Sequence, residues 1–109
     1  MYLRSLLPVL VTSFVAAAPA VAEETYLIVI REHRMTPVEL QVPAGQKIKL
    51  TVDNQDATPE EFESHILNRE KVIPGNSKAT IFIGPLKPGT YEYFGDFNQA
   101  TAQGKIVAK

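Results

Sequence analysis

Short alternations of apolar and polar residues, separated by turns rich in Pro and Gly, constrain the fold of this chain most strongly. Ile48, Leu50 and Val52 alternate with polar residues, which is the pattern of a strand with one buried face. No stretch sustains a helical period. About seven short strands therefore predict an all-β fold, a Greek-key antiparallel β-sandwich. The other predicted strands lie at residues 25–31, 38–42, 70–73, 79–83, 91–93 and 105–109.

Residues 54–67 interrupt this pattern, because they show no period of two and are rich in carboxylates. We expect a long loop here. Thr58 and Pro59 are suited to cap and open one helical turn inside it.

Residues 1–22 have the features of a secretory signal peptide. An apolar stretch at residues 6–18 is followed by small residues that end at Ala22, where cleavage is expected. A membrane-spanning anchor is the alternative, but it needs about 20 apolar residues, usually without a residue such as Pro8. We therefore expect a mature domain over residues 23–109, located in the periplasm and not inserted into the membrane.

Charge and cysteine content exclude several classes of function. The chain has 11 basic and 12 acidic residues, a formal charge of −1, and loss of Arg4 would leave 10 against 12, or −2. Nucleic acid and acidic membrane surfaces both require a basic face, so neither is an expected partner. The absence of Cys excludes a thiolate nucleophile, a thiolate metal ligand and a redox disulfide.

Enzyme motifs are also missing from the sequence. Ser64 and His65 are adjacent, but neighbours on a strand point to opposite faces, and no Gly-x-Ser-x-Gly setting surrounds them. Glycine-rich phosphate loops and His-Glu-x-x-His are absent. Whether the protein is an enzyme stays open, with a non-enzyme favoured.

Several longer motifs carry a family resemblance that covers nearly all of residues 23–109. The motifs are His33-Arg34-Met35-Thr36-Pro37, Val42-Pro43-Ala44-Gly45-Gln46, Glu60-Glu61-Phe62-Glu63-Ser64-His65, and residues 68–75 and 84–91. With these motifs the chain resembles the small secreted cupredoxin-like proteins that accompany bacterial high-affinity iron permeases. The resemblance implies a cupredoxin fold and a place in iron uptake, with an iron permease or another periplasmic component as partner.

The same resemblance locates the four positions that hold copper in blue-copper proteins. A type 1 centre needs two imidazoles and a thiolate, usually with a weak axial Met. The resemblance implies that these places hold Glu60, Gly95, Asn98 and the Thr101/Ala102 pair. The relatives often read Phe-Gly-Glu-Phe-His where this chain reads Phe94-Gly95-Asp96-Phe97-Asn98. No type 1 copper site is therefore expected.

A different metal site is compatible with the remaining residues, since carboxylates with imidazoles suit Fe(II), Mn(II), Cu(II) or Zn(II). Copper or iron is the expected ion if one binds. Each candidate also has an ordinary alternative: a solvated acidic face, an ion pair of Glu63 with Arg69 or Lys71, or a bond from Asp96 to the loop backbone. The candidate ligands are Glu60, Glu61, Glu63, His65 and Asp96, with His33 and Met35 from the first loop as weaker additions.

Three functions follow as hypotheses. The first is a periplasmic accessory protein of an iron or copper-linked uptake system, which binds a metal ion or docks on a partner. The second is copper-dependent oxidation of ferrous iron, or an electron transfer step, that feeds an iron permease. The third is a metal-free structural or interaction domain, since fold does not imply function. The protein is expected to be a monomer or a homodimer.

Overall fold

A computed structural model describes residues 4–5, 7–13 and 24–109. Over these residues the chain forms nine strands and one short 3₁₀ helix, Asp96–Asn98. The strands are β1 (Thr25–Arg31), β2 (Arg34–Thr36), β3 (Glu39–Val42), β4 (Ile48–Asn54), β5 (Glu60–Ser64), β6 (Arg69–Ile73), β7 (Ser77–Ile83), β8 (Gly89–Gly95) and β9 (Gln103–Ala108).

The strands form two sheets that pack face to face. The first sheet has the order β2-β1-β4-β7 and the second the order β3-β9-β8-β5-β6. The predicted all-β sandwich is therefore confirmed, with nine strands in place of about seven. The sheets are mixed and not purely antiparallel, because β1 pairs with β4, and β3 with β9, in parallel. These pairs need crossover connections, which a pattern of local alternation does not reveal.

The core lies between the sheets. Ile48, Leu50 and Val52 of β4 all point inward, as their alternation predicted. From the second sheet, the rings of Phe62 and Tyr93 pack with centroids 5.3 Å apart. Burial of these apolar side chains is the main stabilising contribution in a domain that has no disulfide.

The Tyr93 hydroxyl is the polar end of an otherwise apolar side chain. It donates to the Pro37 carbonyl at 3.0 Å. Desolvation raises the pKa of this phenol to about 12, so the hydroxyl stays a hydrogen-bond donor over the physiological range.

The prediction of a long loop at residues 54–67 is wrong, because Glu60–Ser64 forms strand β5, which lies between β8 and β6 in the second sheet. Its inward positions are Glu60, Phe62 and Ser64, so polar side chains occupy two places where an apolar residue would signal a buried strand. The Ser64 hydroxyl donates to the Glu92 carbonyl at 2.7 Å. The predicted helical turn at Thr58 and Pro59 is also wrong, since residues 56–58 form a bend.

Asn54 fixes that bend from the end of β4. Its side chain is fully buried, and its amide nitrogen donates to the carbonyls of Thr58 (2.9 Å), Ile73 (3.2 Å) and Pro74 (3.3 Å). Its amide oxygen accepts from the Asp56 backbone N–H at 3.1 Å. One amide therefore satisfies backbone groups of the β4–β5 connection and of the segment that follows β6, and ties the two together.

Most of the predicted signal peptide, including the cleavage position at Ala22, lies outside the described residues. Within the described ranges, no helix has the length and apolar character required to cross a membrane.

Candidate functional site

Strand β5 presents carboxylates to both faces of the second sheet. Alternate residues of a strand point to opposite faces, so Glu60 points inward while Glu61 and Glu63 point outward. β5 pairs with β8 on one side, where Phe62 lies opposite Gly95. It pairs with β6 on the other side, where Glu63 lies opposite Glu70. The inner and outer carboxylates have separate surroundings.

The inner carboxylate, Glu60, is buried and is held by hydrogen bonds within the protein. It is 1% exposed. Its Oε1 accepts from the backbone N–H of Phe97 at 2.9 Å and from its neighbour Glu61 at 3.1 Å. Its Oε2 accepts from the Asn98 side-chain amide at 2.6 Å. Three donors thus satisfy one buried carboxylate, which would otherwise be strongly destabilising.

Gly95 makes room for this carboxylate. A Cβ atom at Gly95 would lie 2.6 Å from Glu60 Cδ, 2.9 Å from its Oε1 and 2.7 Å from Ala102 Cβ. The Gly95 N–H donates to the Ala102 carbonyl at 2.8 Å, and the Ala102 N–H donates to the Asn98 carbonyl at 2.9 Å. The positions that the resemblance assigned to copper ligands therefore do meet at one end of the sandwich.

These residues do not fit a type 1 copper ion. They supply neither a thiolate nor an imidazole, and such a centre requires both. Asn98 turns its N–H₂ group, which is a donor, toward the centre. The Glu60 carboxylate itself occupies the space beside Gly95. The expectation that the protein lacks a type 1 site is confirmed.

The outer carboxylates form an acidic cluster of Glu61, Glu63 and Glu70. One oxygen from each lies within 4.8 Å of the others. Glu63 and Glu70 are directly opposite across β5 and β6, and like charges in that arrangement are destabilising. The sequence prediction included Glu61 and Glu63 but missed Glu70. The turn at residues 65–68, read as a hairpin connection, would have paired residue 63 with residue 70.

Protonation of Glu61 would lower the repulsion within the acidic cluster. A hydrogen bond with Glu70, desolvation, and the charges of Glu70, Asp96 and Glu63 together raise the pKa of Glu61 to about 7. The neutral form of one carboxyl can donate to the other, which the two charged forms cannot do. With a pKa of about 7, Glu61 is partly protonated near neutral pH.

His65 and Asp96 border the acidic cluster. His65 Nδ1 lies 3.7 Å from Glu63 Oε1, and its ring packs against Phe94 with centroids 5.3 Å apart. In the described part of the chain, this contact replaces the ion pairs of Glu63 with Arg69 or Lys71 that the sequence allowed. Asp96 is half-buried, and its Oδ1 accepts from the Gln99 side-chain amide at 2.8 Å.

His33 and Met35 lie apart from the acidic cluster. Met35 is 1% exposed and belongs to the hydrophobic core. His33 is exposed in the β1–β2 turn, where its φ is 55°. Its backbone N–H donates to Asp56 Oδ2 at 3.0 Å, and its carbonyl accepts from the Thr101 hydroxyl. His33 therefore supports the loops and Met35 the core. Of the other candidates, Glu61 and Glu63 lie in the acidic cluster and His65 and Asp96 border it, whereas Glu60 points to the opposite face of β5.

Comparison with known proteins identifies the family of this chain. The chain matches the cupredoxin-like domain over residues 4–108 and belongs to that family. It is 50% identical over 80 residues to an uncharacterised protein of Rickettsia prowazekii (strain Madrid E), which covers 73% of this chain. The chain spans 64% of the length of that relative.

Solved structures with the same fold include copper proteins. Auracyanin A, a "blue" copper protein from Chloroflexus aurantiacus, matches with a TM-score of 0.68 at 20% identity, over 79% of this chain and 98% of its own. A purple cupredoxin from Nitrosopumilus maritimus gives 0.61 at 17% identity, over 77% and 99%. A chain of a heme-copper terminal oxidase dimer gives 0.66 at 17% identity, over 81% and 66%. At these identities the likeness shows the fold.

Proposed function

We propose that the protein is a periplasmic, cupredoxin-like accessory component of an iron or copper-linked uptake system, which binds a metal ion on the outer face of its second sheet. The observation that carries the proposal is the acidic cluster, in which one oxygen from each of three carboxylates lies within 4.8 Å of the others. His65 and Asp96 at its border supply an imidazole and a further carboxylate. An iron permease or another periplasmic component of the uptake system is the proposed partner.

The chemistry of the donor set favours a hard or borderline divalent ion. Carboxylate oxygens with an imidazole suit Fe(II), Mn(II), Cu(II) and Zn(II), whereas no thiolate is present to select a soft ion. A divalent cation would replace the proton held by Glu61 and would remove the repulsion between Glu63 and Glu70. Metal affinity should therefore increase with pH, because the ligands must lose their proton to bind.

The setting in an uptake system is supported by the resemblance to proteins that accompany iron permeases, and by family membership. The structural relatives include a blue copper protein and a chain of a heme-copper oxidase. A signal peptide would deliver the protein to the compartment in which such systems collect their ions.

Thermal melting with added metals tests the proposal. Fe(II), Mn(II), Cu(I), Cu(II) and Zn(II) are added separately, under anaerobic conditions, to the chelator-treated protein. An ion at 100 times its dissociation constant stabilises the folded state by about 2.7 kcal/mol, a shift of about 10–20 °C for a small domain. Glu63→Gln and Glu70→Gln should each abolish the shift.

Glu39→Gln is the matched control. Glu39 is a half-exposed carboxylate on β3, at the opposite edge of the same sheet, and its contact is Lys105. This variant should keep the full metal-induced shift. Retention of the shift in Glu63→Gln and Glu70→Gln would exclude the acidic cluster as the site. If copper raises Tm, the hypothesis of copper-dependent iron oxidation can be tested next. The copper-loaded protein should then oxidise ferrous iron faster than free copper ion does.

The alternative function is that of a metal-free docking domain. It is favoured by the inner network, since Glu60 holds the loop at Phe97 and Asn98 through contacts within the protein. The absence of a thermal shift with every ion tested would support this alternative and direct the search to a protein partner.

A further inference from the structure

The end of the sandwich that contains Glu60 and Asn98 has the opposite polarity to a metal site. In a metal site, a central cation is surrounded by lone pairs that point inward. Here a central anion, the Glu60 carboxylate, is surrounded by N–H groups that point inward, from Phe97, Glu61 and Asn98. The Asn98 amide shows this most clearly, because its nitrogen lies 2.6 Å from Glu60 Oε2.

The carboxylate also fills the available space. The ideal Cβ position at Gly95 lies 2.6 Å from Glu60 Cδ, so a side chain at Gly95 and the carboxylate of Glu60 exclude each other. In the described residues, no buried side-chain nitrogen or oxygen lacks a hydrogen-bond partner. Nothing at this end therefore remains to be satisfied by an ion.

We propose that Glu60 is a built-in replacement for the metal ion at this end of the domain, and that it fastens the loop containing the 3₁₀ helix to β5 from within. The carboxylate connects the same elements that a metal would connect, namely the start of β5 and the loop that follows β8. Glu60 is thus a positioning residue. It fixes the two residues on either side of the Phe97 amide: Asp96, which borders the acidic cluster, and Asn98.

This role has a consequence that a metal-held loop would not share. The loop keeps its conformation at every metal concentration, and Phe97, which is 50% exposed, is presented in the same way in the presence of a chelator. The inference does not depend on metal binding at the acidic cluster, since the two sites lie on opposite faces of β5.

Exchange of the two polar groups tests the inference. Asn98→Asp alone would place a half-buried carboxylate in contact with the buried carboxylate of Glu60 and remove a charge-assisted hydrogen bond, and should lower Tm by about 10 °C or more. The double variant Glu60→Gln/Asn98→Asp restores one donor and one acceptor in exchanged positions. The new glutamine can still accept from the Phe97 N–H with its amide oxygen. This variant should recover at least half of the lost Tm.

Ala100→Asp is the matched control, because it adds the same charge at an exposed position two residues further along the same loop. Its Tm should change by less than about 3 °C, as is usual for a surface substitution. If the effects of Glu60→Gln and Asn98→Asp are additive and the double variant recovers nothing, Glu60 is not the group that fastens this loop.

Hydrogen exchange in the unmodified protein supplies a second test that does not require any variant to fold. The Phe97 amide should be protected equally in chelator-treated and metal-supplemented protein. Loss of its protection on chelation would overturn the inference, because a metal would then hold the loop. This result would differ from failure of the acidic cluster, which is read from Glu63→Gln and Glu70→Gln alone.

Discussion

Replacing Gly95 with alanine tests how closely Glu60 approaches strand β8. The added Cβ would lie 2.7 Å from Ala102 Cβ and 2.9 Å from Glu60 Oε1. Ala102 cannot move without its backbone, and the carboxylate cannot move without losing its bonds to Phe97 and Asn98. Overpacking of a tight site costs about 1–3 kcal/mol. Weakening one hydrogen bond to a charged group costs about 1.5–3 kcal/mol more.

We therefore expect Gly95→Ala to destabilise the protein by about 3 kcal/mol or more. For a domain of this size that corresponds to a fall in Tm of about 12–24 °C. Urea unfolding, followed by circular dichroism, measures the free energy directly from the midpoint and slope.

Gly89→Ala provides the comparison within the same strand. Gly89 opens β8, and an added Cβ would meet its nearest atoms at 3.7–3.9 Å, which is ordinary contact. This variant should lie within about 0.5–1 kcal/mol of the unmodified protein. Equal stability of the Gly95 and Gly89 variants would refute the close approach of Glu60 to β8.

Three further predictions follow from contacts described above. The pKa of Glu61 is about 7 in the folded protein, above its usual 4.5, so the stabilising contribution of its proton is complete below pH 4.5 and is lost as the pH rises through 7. The unmodified protein should accordingly lose more stability than Glu61→Gln between pH 5 and 8 in urea unfolding, and equal losses would contradict the shift. Asn54→Ala removes the donor for three carbonyls and should cost about 3 kcal/mol; a loss below about 1 kcal/mol would show that water replaces the amide. Tyr93→Phe deletes the hydrogen bond to Pro37 and should cost about 1 kcal/mol, with the phenylalanine ring keeping its packing; a cost near 3 kcal/mol in the same unfolding measurement would contradict this.

Sequence periodicity was a sound guide to the fold wherever burial is apolar. Ile48, Leu50 and Val52 pointed to the core of the first sheet, and the sandwich class followed from many such runs. The same reasoning failed for β5, because Glu60 and Ser64 are buried through hydrogen bonds that join residues far apart in sequence. No local pattern contains that information.

The candidate metal site was partly predictable for a related reason. Glu61 and Glu63 could be chosen from one short motif, since both lie on β5. Glu70 depends on the register of β5 with β6, and Met35 was assigned to the loop although it faces the core. Cross-strand partners follow from pairing, which a single strand does not specify.

The Asp56 carboxylate joins the β4–β5 connection to the β1–β2 turn, at the end of the sandwich that contains Glu60. It accepts from the backbone N–H groups of Glu32 and His33 at 2.7 and 3.0 Å, and both residues have left-handed φ angles. The His33 carbonyl in turn accepts from the Thr101 hydroxyl. Three segments far apart in sequence, the β1–β2 turn, the β4–β5 connection and the loop before β9, are thereby linked. The β1–β2 turn contacts both of the other segments, so its local opening breaks both links. The amides of the three segments should therefore share one opening free energy and behave as a single cooperative folding unit within the domain.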